Sequence, residues 1–302
     1  MLSLGRLEAF LTIVELGTVT AAAERLHIAQ PALSRQLSAL EHEVGFALFT
    51  RERGRLQLTR AGALFATLAR DLLDHANRLG EATAALSSGQ PVRLVIAAPL
   101  STLNEVLAPF VAELGADDPL VTAFDHPALR PPDESLGRAD IVICAGPAAT
   151  SLDSRVLGDV PVCVQVHPSH RFARDGIPRL DVGELVDEPL ILQSRENMSR
   201  VILESTLAGR GLTAQVTVDS EVELMAQAIA ASGRGVAVLT ERPRFGLHAI
   251  HLYDGDTPLR LTLHATWVRG HYAERTIVAL AERLRDYLAE VVRIWHSPRS
   301  AN

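Results

Sequence analysis

Apolar residues in the first sixty positions recur at helical spacing. Leu4, Leu7, Phe10, Leu11 and Val14 share one face of a helix that Gly17 is placed to close. Thr20 is expected to cap a second, short helix over 21–26, and 27–29 form a tight turn. From Gln30 the pattern resumes. Leu33, Leu37, Leu40 and Val44 make an apolar stripe, while Pro31, Ser34, Arg35 and Ser38 gather on the opposite side. Pro31 is tolerated because the first turn has no helical partner for its missing N–H. Arg35 is a five-donor fork that matches guanine O6 and N7 in the major groove. With Gln30 at the helix start, this face suits the edges of DNA bases. A plain three-helix bundle with a polar outside would carry similar residues.

Residues 48–59 shift that balance. They alternate around a basic, glycine-containing tip, which predicts a β-hairpin. Arg51, Arg53 and Arg55 suit phosphates and a narrow minor groove. Alone they would equally be a solvated charge run. Directly after a helix with a base-reading face, they complete a winged helix-turn-helix.

A single long helix is predicted over 59–88, capped by Thr59 and ended by Ser87-Ser88-Gly89-Gln90-Pro91. Phe65, Leu72, Leu79 and Leu86 recur every seven residues, with Leu68, His75 and Ala82 at companion positions. That spacing is a coiled-coil seam, so a self-associating helix about 45 Å long is expected. Beyond Pro91 short apolar runs at 92–98, 121–124, 139–145, 160–166, 190–193, 215–218 and 235–239 alternate with helical segments at 103–114, 199–208 and 222–231. The alternation predicts a parallel α/β domain, closed by a helix over about 272–295.

The continuous stretch LEAFLTIVELGTVTAAAERLHIAQPALSRQLSALEHEVGFALFTRERGRLQLTRAG resembles the DNA-binding domain of LysR-type transcriptional regulators. Two positions depart from the family pattern. Ala29 stands where a serine often caps the recognition helix, and Val19 replaces a usual aromatic core plug. The resemblance implies residues 1–62 as a winged helix-turn-helix domain, 63–88 as a dimerising linker helix and 89–302 as an effector-binding domain. That last domain would have the two-lobed periplasmic-binding-protein fold, lobe 1 over about 89–161 and 268–302 and lobe 2 over about 162–267. Arg130-Pro131-Pro132 falls where relatives carry a longer helix, so lobe 1 is expected to be abbreviated there. The family's sensor domains also associate, so a tetramer built from dimers is expected.

Charge fits this division. The chain carries a net charge of −7, yet residues 1–62 hold seven arginines against six acidic residues, so the acidity lies in the C-terminal two-thirds. DNA affinity must then come from a local patch rather than from the whole-chain field. All 29 basic residues are arginine, which a GC-rich genome explains. No leader-like segment and no run of eighteen apolar residues occurs, so a cytoplasmic protein with no membrane partner is expected and an exported solute receptor is disfavoured. Cys144 and Cys163, each within an apolar run, are expected to be reduced core residues.

No catalytic or cofactor constellation emerges. Gly209-Arg210-Gly211 and Gly233-Arg234-Gly235 follow helices and precede strands, the reverse of a dinucleotide loop. His167 with His170, and His248 with His251, lack a third metal ligand nearby. There is no G-x-S-x-G and no H-E-x-x-H. An enzyme fused to a helix-turn-helix is therefore the runner-up reading. Ligands of open α/β folds sit at the carboxyl ends of strands, which selects Ser101 and Thr102 after the first strand, His126 after the second, and Ser194, Arg195 and Asn197 after the 190–193 strand. Thr102 with Glu105, and Ser220 with Glu223, also spell capping boxes. Helix N-termini and Arg195 favour a small carboxylate as effector. The partners implied are operator double-stranded DNA, a small-molecule effector and further copies of the chain.

Overall fold

The computed structural model describes residues 2–52, 55–88, 92–146 and 149–295, and they form two compact units, Met1–Gln90 and Pro91–Asn302. In the first unit α1 (Leu4–Leu16), α2 (Val19–Arg25) and α3 (Gln30–Val44) precede a hairpin of β1 (Phe49–Glu52) and β2 (Arg55–Leu58), and α4 (Arg60–Ser88) follows. Gly17 and Gly45 adopt the left-handed conformation that ends α1 and α3. Helix α2 begins earlier than expected. Thr18, not Thr20, accepts the hydrogen bond from Ala21 N, because Thr18 is still extended and Thr20 is already helical. Ala29 precedes α3 with no side-chain cap, as its methyl dictates.

Two buried clusters hold this unit. Leu7, Phe10, Leu40 and Leu48 pack with Ala66 and Ala69 of α4, and Ala9, Ile13, Ala22, Ala23 and Leu33 pack between the first three helices. Glu41 of α3 accepts hydrogen bonds from Leu48 N at 2.8 Å and Phe49 N at 3.3 Å, which anchors the hairpin to that helix. Thr59 accepts from Gly62 N and donates to Ala47 O, both at 2.8 Å, so it caps α4 and ties it to the wing. Gly62 leaves no room for a side chain, since a Cβ there would lie 2.1 Å from Leu48 O.

The linker-helix seam needs one correction. Phe65 faces its own domain, with ring centroids 5.5 Å from Phe10 and 6.1 Å from Phe46. The first turns of α4 spend one face on the core, so the free stripe is shifted by one residue there. Among the described residues Leu64, Leu68, Leu72 and Leu79 are the large apolar residues exposed along it, Leu68 at 66% and Leu79 at 64%. Leu86 has its backbone in α4, but its side chain lies outside the described residues.

The second unit is built on two mixed sheets. Its strands are β3 (Arg93–Ala98), β4 (Leu120–Asp125), β5 (Ile141–Ala145), β6 (Leu152–Pro161), β7 (Cys163–Val166), β8 (Arg179–Asp181), β9 (Leu190–Gln193), β10 (Val216–Ser220), β11 (Val236–Leu239), β12 (His248–Asp254), β13 (Thr257–Pro258) and β14 (Arg260–Val268). Lobe 1 has the order β4-β3-β5-β14-β6, and lobe 2 the order β10-β9-β11-β7-β12-β13 with β8 beside β12. The strands expected to be parallel are parallel around β3 and around β9. The all-parallel expectation fails at β14, β7 and β12, which pair antiparallel with their neighbours.

The chain crosses between lobes at Pro161/Val162 and again at Leu259/Arg260. The second crossing replaces the expected boundary near 267, because β14 lies inside lobe 1's sheet between β5 and β6. The two crossings lie side by side, with Val162 N donating to Leu259 O at 2.9 Å. Trp267 and Ile277, Leu280, Leu284 and Leu288 of the Glu274–Trp295 helix fill lobe 1. Phe172, Leu180, Leu190, Leu203 and Ile250 fill lobe 2. After the Arg130-Pro131-Pro132 segment only a one-turn helix, Asp133–Leu136, follows.

Candidate functional site

Two surfaces carry functional geometry. On α3, Leu33 and Leu40 are fully buried, while Gln30, Pro31, Arg35 and Ser38 are exposed and Ser34 is half-buried. Gln30 Nε2 donates to Ser34 Oγ at 3.0 Å, which fixes the polar edge of the helix start. Arg35 has no hydrogen bond or ion pair with any described residue, so among these its guanidinium donors are uncommitted. Arg51 and Arg55 lie on the wing strands, in the pairs Arg51↔Leu56 and Glu52↔Arg55. Their side chains, and Arg53 entirely, lie outside the described residues.

The second surface is a cleft of about 640 Å³ in the Pro91–Asn302 unit. Its walls come from the residues that follow the carboxyl ends of the parallel strands in both lobes. Pro99 to Thr102 follow β3, Asp125 ends β4, Ala145 ends β5, Gln193 to Ser199 end β9 and continue from it, Glu221 and Glu223 follow β10, and Thr240 follows β11. Leu261 and Leu263 of β14 add an apolar contribution. Ser101, Thr102, Ser194, Arg195 and Asn197 are thereby brought together. Arg200, 3% exposed, holds this edge of lobe 2 in place. It donates to Gln193 O at 2.8 Å, pairs with Asp219 on β10 and binds Glu204 at 2.7 Å.

Comparison with known proteins gives the same two parts. Residues 4–63 match the family described as "Bacterial regulatory helix-turn-helix protein, lysR family", and residues 87–289 match "LysR substrate binding domain". This chain belongs to the LysR family. Its members are DNA-binding transcriptional regulators with an effector-binding domain, not enzymes. The HTH-type transcriptional regulator TcbR of Pseudomonas sp. (strain P51) is 38% identical over 92 residues, covering 30% of this chain and 31% of TcbR. A "Probable cat1 operon transcriptional activator" of Acinetobacter lwoffii is 30% identical over 261 residues, covering 82% of this chain and 84% of that protein. The crystal structure of full-length CbnR with its target DNA superposes at a TM-score of 0.72 and 20% identity, over 95% of this chain and 100% of that one, and so shares the fold.

Within this LysR-family chain several sequence readings change. His126 does not line the cleft. It is 1% exposed, and its ring nitrogens lie 2.9 Å from Ser135 Oγ and 3.0 Å from Arg130 O, so it fastens the Pro-rich segment instead. Thr102 is not a cap. The helical stretch 100–111 begins after Pro99 and passes through a π-helical segment, Leu103–Leu107, leaving the Thr102 hydroxyl free of capping duty. Glu105 instead pairs with Arg244 of lobe 2 at 2.5 Å. Ser220 donates to Val222 O rather than capping the next helix. Asn197 does cap the Met198–Gly209 helix, accepting from Ser199 N at 2.8 Å.

Sequence reasoning missed Asp125, Gln193, Glu196, Glu221, Glu223 and Thr240. Glu221 and Glu223 follow β10 and Thr240 follows β11, strand ends that carry the same signal in the sequence as those of β3 and β9. The missed residues change the electrostatics. Four carboxylates line the cleft, with Arg195 as the one cationic side chain among its lining residues.

Behind Thr240, Glu241 is 4% exposed. Burial above all, and then the nearby Glu223 and Glu105 carboxylates, push its pKa up from 4.5 to about 7. Thr240 N donates to its carboxylate at 3.1 Å, and a buried amide pair, Gln165 and Gln227, grips the surrounding backbone through Glu241 O and Arg242 O. Cys144 and Cys163 are both buried and carry no disulfide, with burial pushing both thiols upward. Among the described residues no group of three His, Cys, Asp or Glu is placed to hold a metal ion, and no helix is long and apolar enough to cross a membrane.

Proposed function

We propose that this chain is a cytoplasmic, sequence-specific transcriptional regulator that binds operator DNA as a dimer and responds to a small effector held between the lobes. The observation that carries the DNA reading is the free Arg35 on the exposed face of a helix whose other face is fixed in the core. Gln30, Pro31, Ser34, Arg35 and Ser38 would face base edges in the major groove, and Arg51, Arg53 and Arg55 would lie on the backbone and minor groove. Arg35→Ala is expected to cost roughly 1–3 kcal/mol on the cognate site and much less on scrambled duplex. Fluorescence anisotropy on both duplexes measures the difference. Equal losses would demote Arg35 to a phosphate contact.

The cleft supports the sensing half of the reading. A carboxylate group of the effector would sit against Arg195 and the N-terminal turn of the Met198–Gly209 helix, where backbone N–H groups carry partial positive charge. Ser194 offers a hydroxyl beside it, and Ser101 and Thr102 of lobe 1 offer hydroxyls across the gap. Because ligand contacts both lobes, it favours one lobe arrangement over another and so shifts a pre-existing equilibrium. Thr102→Val keeps the shape of the wall and deletes its hydroxyl, so the ligand-dependent change in operator affinity is expected to shrink. A response at unchanged effector concentration would place the effector elsewhere. Pairing of linker helices through α4, and of dimers through the sensor domains, completes the proposed assembly.

A further inference from the structure

We infer that the effector of this cleft is an amino-carboxylate, a small molecule carrying a primary ammonium group as well as its acid. The inference rests on the reading that the effector binds in the cleft, and it sharpens what that molecule must be. Asp125, Glu196, Glu221 and Glu223 line the cavity, and none has a hydrogen bond or ion pair with another described residue through its side chain. Arg195 is the sole opposing charge along the same walls. A ligand with only carboxylates satisfies Arg195 and then meets a surplus of negative charge. Charge that is not answered within a cleft concentrates the oppositely charged partner there.

Gln193 adds an independent demand. It lines the cleft, is 2% exposed, and its Oε1 accepts no hydrogen bond from any described group. A buried side-chain amide oxygen without a donor costs free energy that an incoming N–H recovers. An ammonium group brings three donors and no acceptor, which is what a carboxylate-lined wall with an unmet amide oxygen requires. The polar residues are also spread over both lobes, with Asp125 at the end of β4 in lobe 1 and Gln193, Glu196, Glu221 and Glu223 in lobe 2. An ammonium held between Asp125 and the lobe 2 carboxylates would draw the walls together, while Arg195 takes the acid.

Three probes of one chain length separate the possibilities: glutarate, 5-aminopentanoate and 1,5-diaminopentane. Each is titrated into the full chain at millimolar concentration and followed by calorimetry and by the shift in Tm. 5-Aminopentanoate is expected to bind at least about tenfold more tightly than glutarate, a ratio equal to about 1.4 kcal/mol. The double variant Asp125→Asn, Glu221→Gln is expected to erase that preference. Glutarate binding as tightly as 5-aminopentanoate, or no binding by either amine, overturns the inference. If glutarate binds and Arg195→Ala abolishes it, the cleft remains the effector site and only the ammonium requirement falls. If 5-aminopentanoate binds equally well to wild type, to the double variant and to Arg195→Ala, the molecule sits elsewhere and the cleft reading itself fails.

Discussion

Replacing Leu72 and Leu79 by glutamate is expected to convert the proposed dimer to monomers and to remove measurable operator binding. Both side chains are exposed in the single chain, Leu72 at 47% and Leu79 at 64%, on a helix whose opposite face is already occupied by Phe65, Ala66 and Ala69 in its first turns. Each leucine buried in a helix–helix seam contributes roughly 1.5–3 kcal/mol. Two positions in two chains therefore supply about 6–12 kcal/mol, a range that spans the whole free energy of a micromolar dimer, about 8 kcal/mol. The substitution also places four carboxylates in one seam. Operator affinity falls further than a local contact would explain, because one winged helix no longer delivers the other at high effective concentration, a factor of about 10²–10⁴. Sedimentation velocity and anisotropy read the two effects separately. A double variant that sediments as a dimer would move the interface off α4.

The second large effect concerns pH. The Glu241 carboxyl has a folded-state pKa of about 7 against 4.5 for the free side chain. A raised folded-state pKa means that the folded protein holds this proton more tightly than the unfolded chain does. The stabilisation from it is complete below pH 4.5, and it is lost as pH rises through 7. The interval corresponds to roughly 3 kcal/mol, an order-of-magnitude figure for a group this deeply buried. Glu241→Gln keeps the shape and is always neutral, so it should stabilise the sensor domain near neutral pH and flatten the slope. Urea unfolding at about pH 5 and about pH 8 tests both points. A variant whose pH dependence matches wild type would show that the carboxyl is solvated in solution. Glu223 lines the cleft and is one of the groups that raise this pKa, so a cation bound there would draw the Glu241 proton off more readily.

Much of this was legible in the sequence because the informative residues are local to one another. The α3 stripe, Gly17, Gly45, Pro31, the uncapped Ala29 and the wing hairpin all follow from spacing within a dozen residues. The parallel strands around β3 and β9 announced themselves as continuous apolar runs, which is how strands covered on both faces read. The failures share a cause in tertiary context. Phe65 fits the heptad equally well on either side of α4, and only the presence of Phe10 and Phe46 decides which side it takes. His126 sits where a ligand contact belongs, yet Ser135 and Arg130 claim both ring nitrogens from nearby in the chain. The β14 strand alternates only weakly, because it lies inside a sheet while its first residue, Arg260, sits at a crossing. The cleft carboxylates were each visible, but nothing local shows that the ends of β4, β9 and β10, from two lobes, converge.

The side-by-side crossings at Pro161/Val162 and Leu259/Arg260 have a consequence for biosynthesis. Lobe 2 is a contiguous insertion, so all its strands have been synthesised once Pro258 has been made. Lobe 1 is different. Its sheet needs β14 between β5 and β6, and its core needs Ile277, Leu284 and Leu288 of the last described helix. Domains generally fold as units during synthesis, those nearer the N-terminus first. Here the insertion overtakes its host, and the inner lobe is complete while the outer one still waits for the strand that separates β5 from β6. The nascent β5 and β6 strands therefore spend that interval without the partner that will lie between them. Translation stalled near residue 260 behind an added unstructured spacer, long enough to bring that residue out of the ribosome, should yield a protease-resistant fragment covering lobe 2 and a cleavable lobe 1.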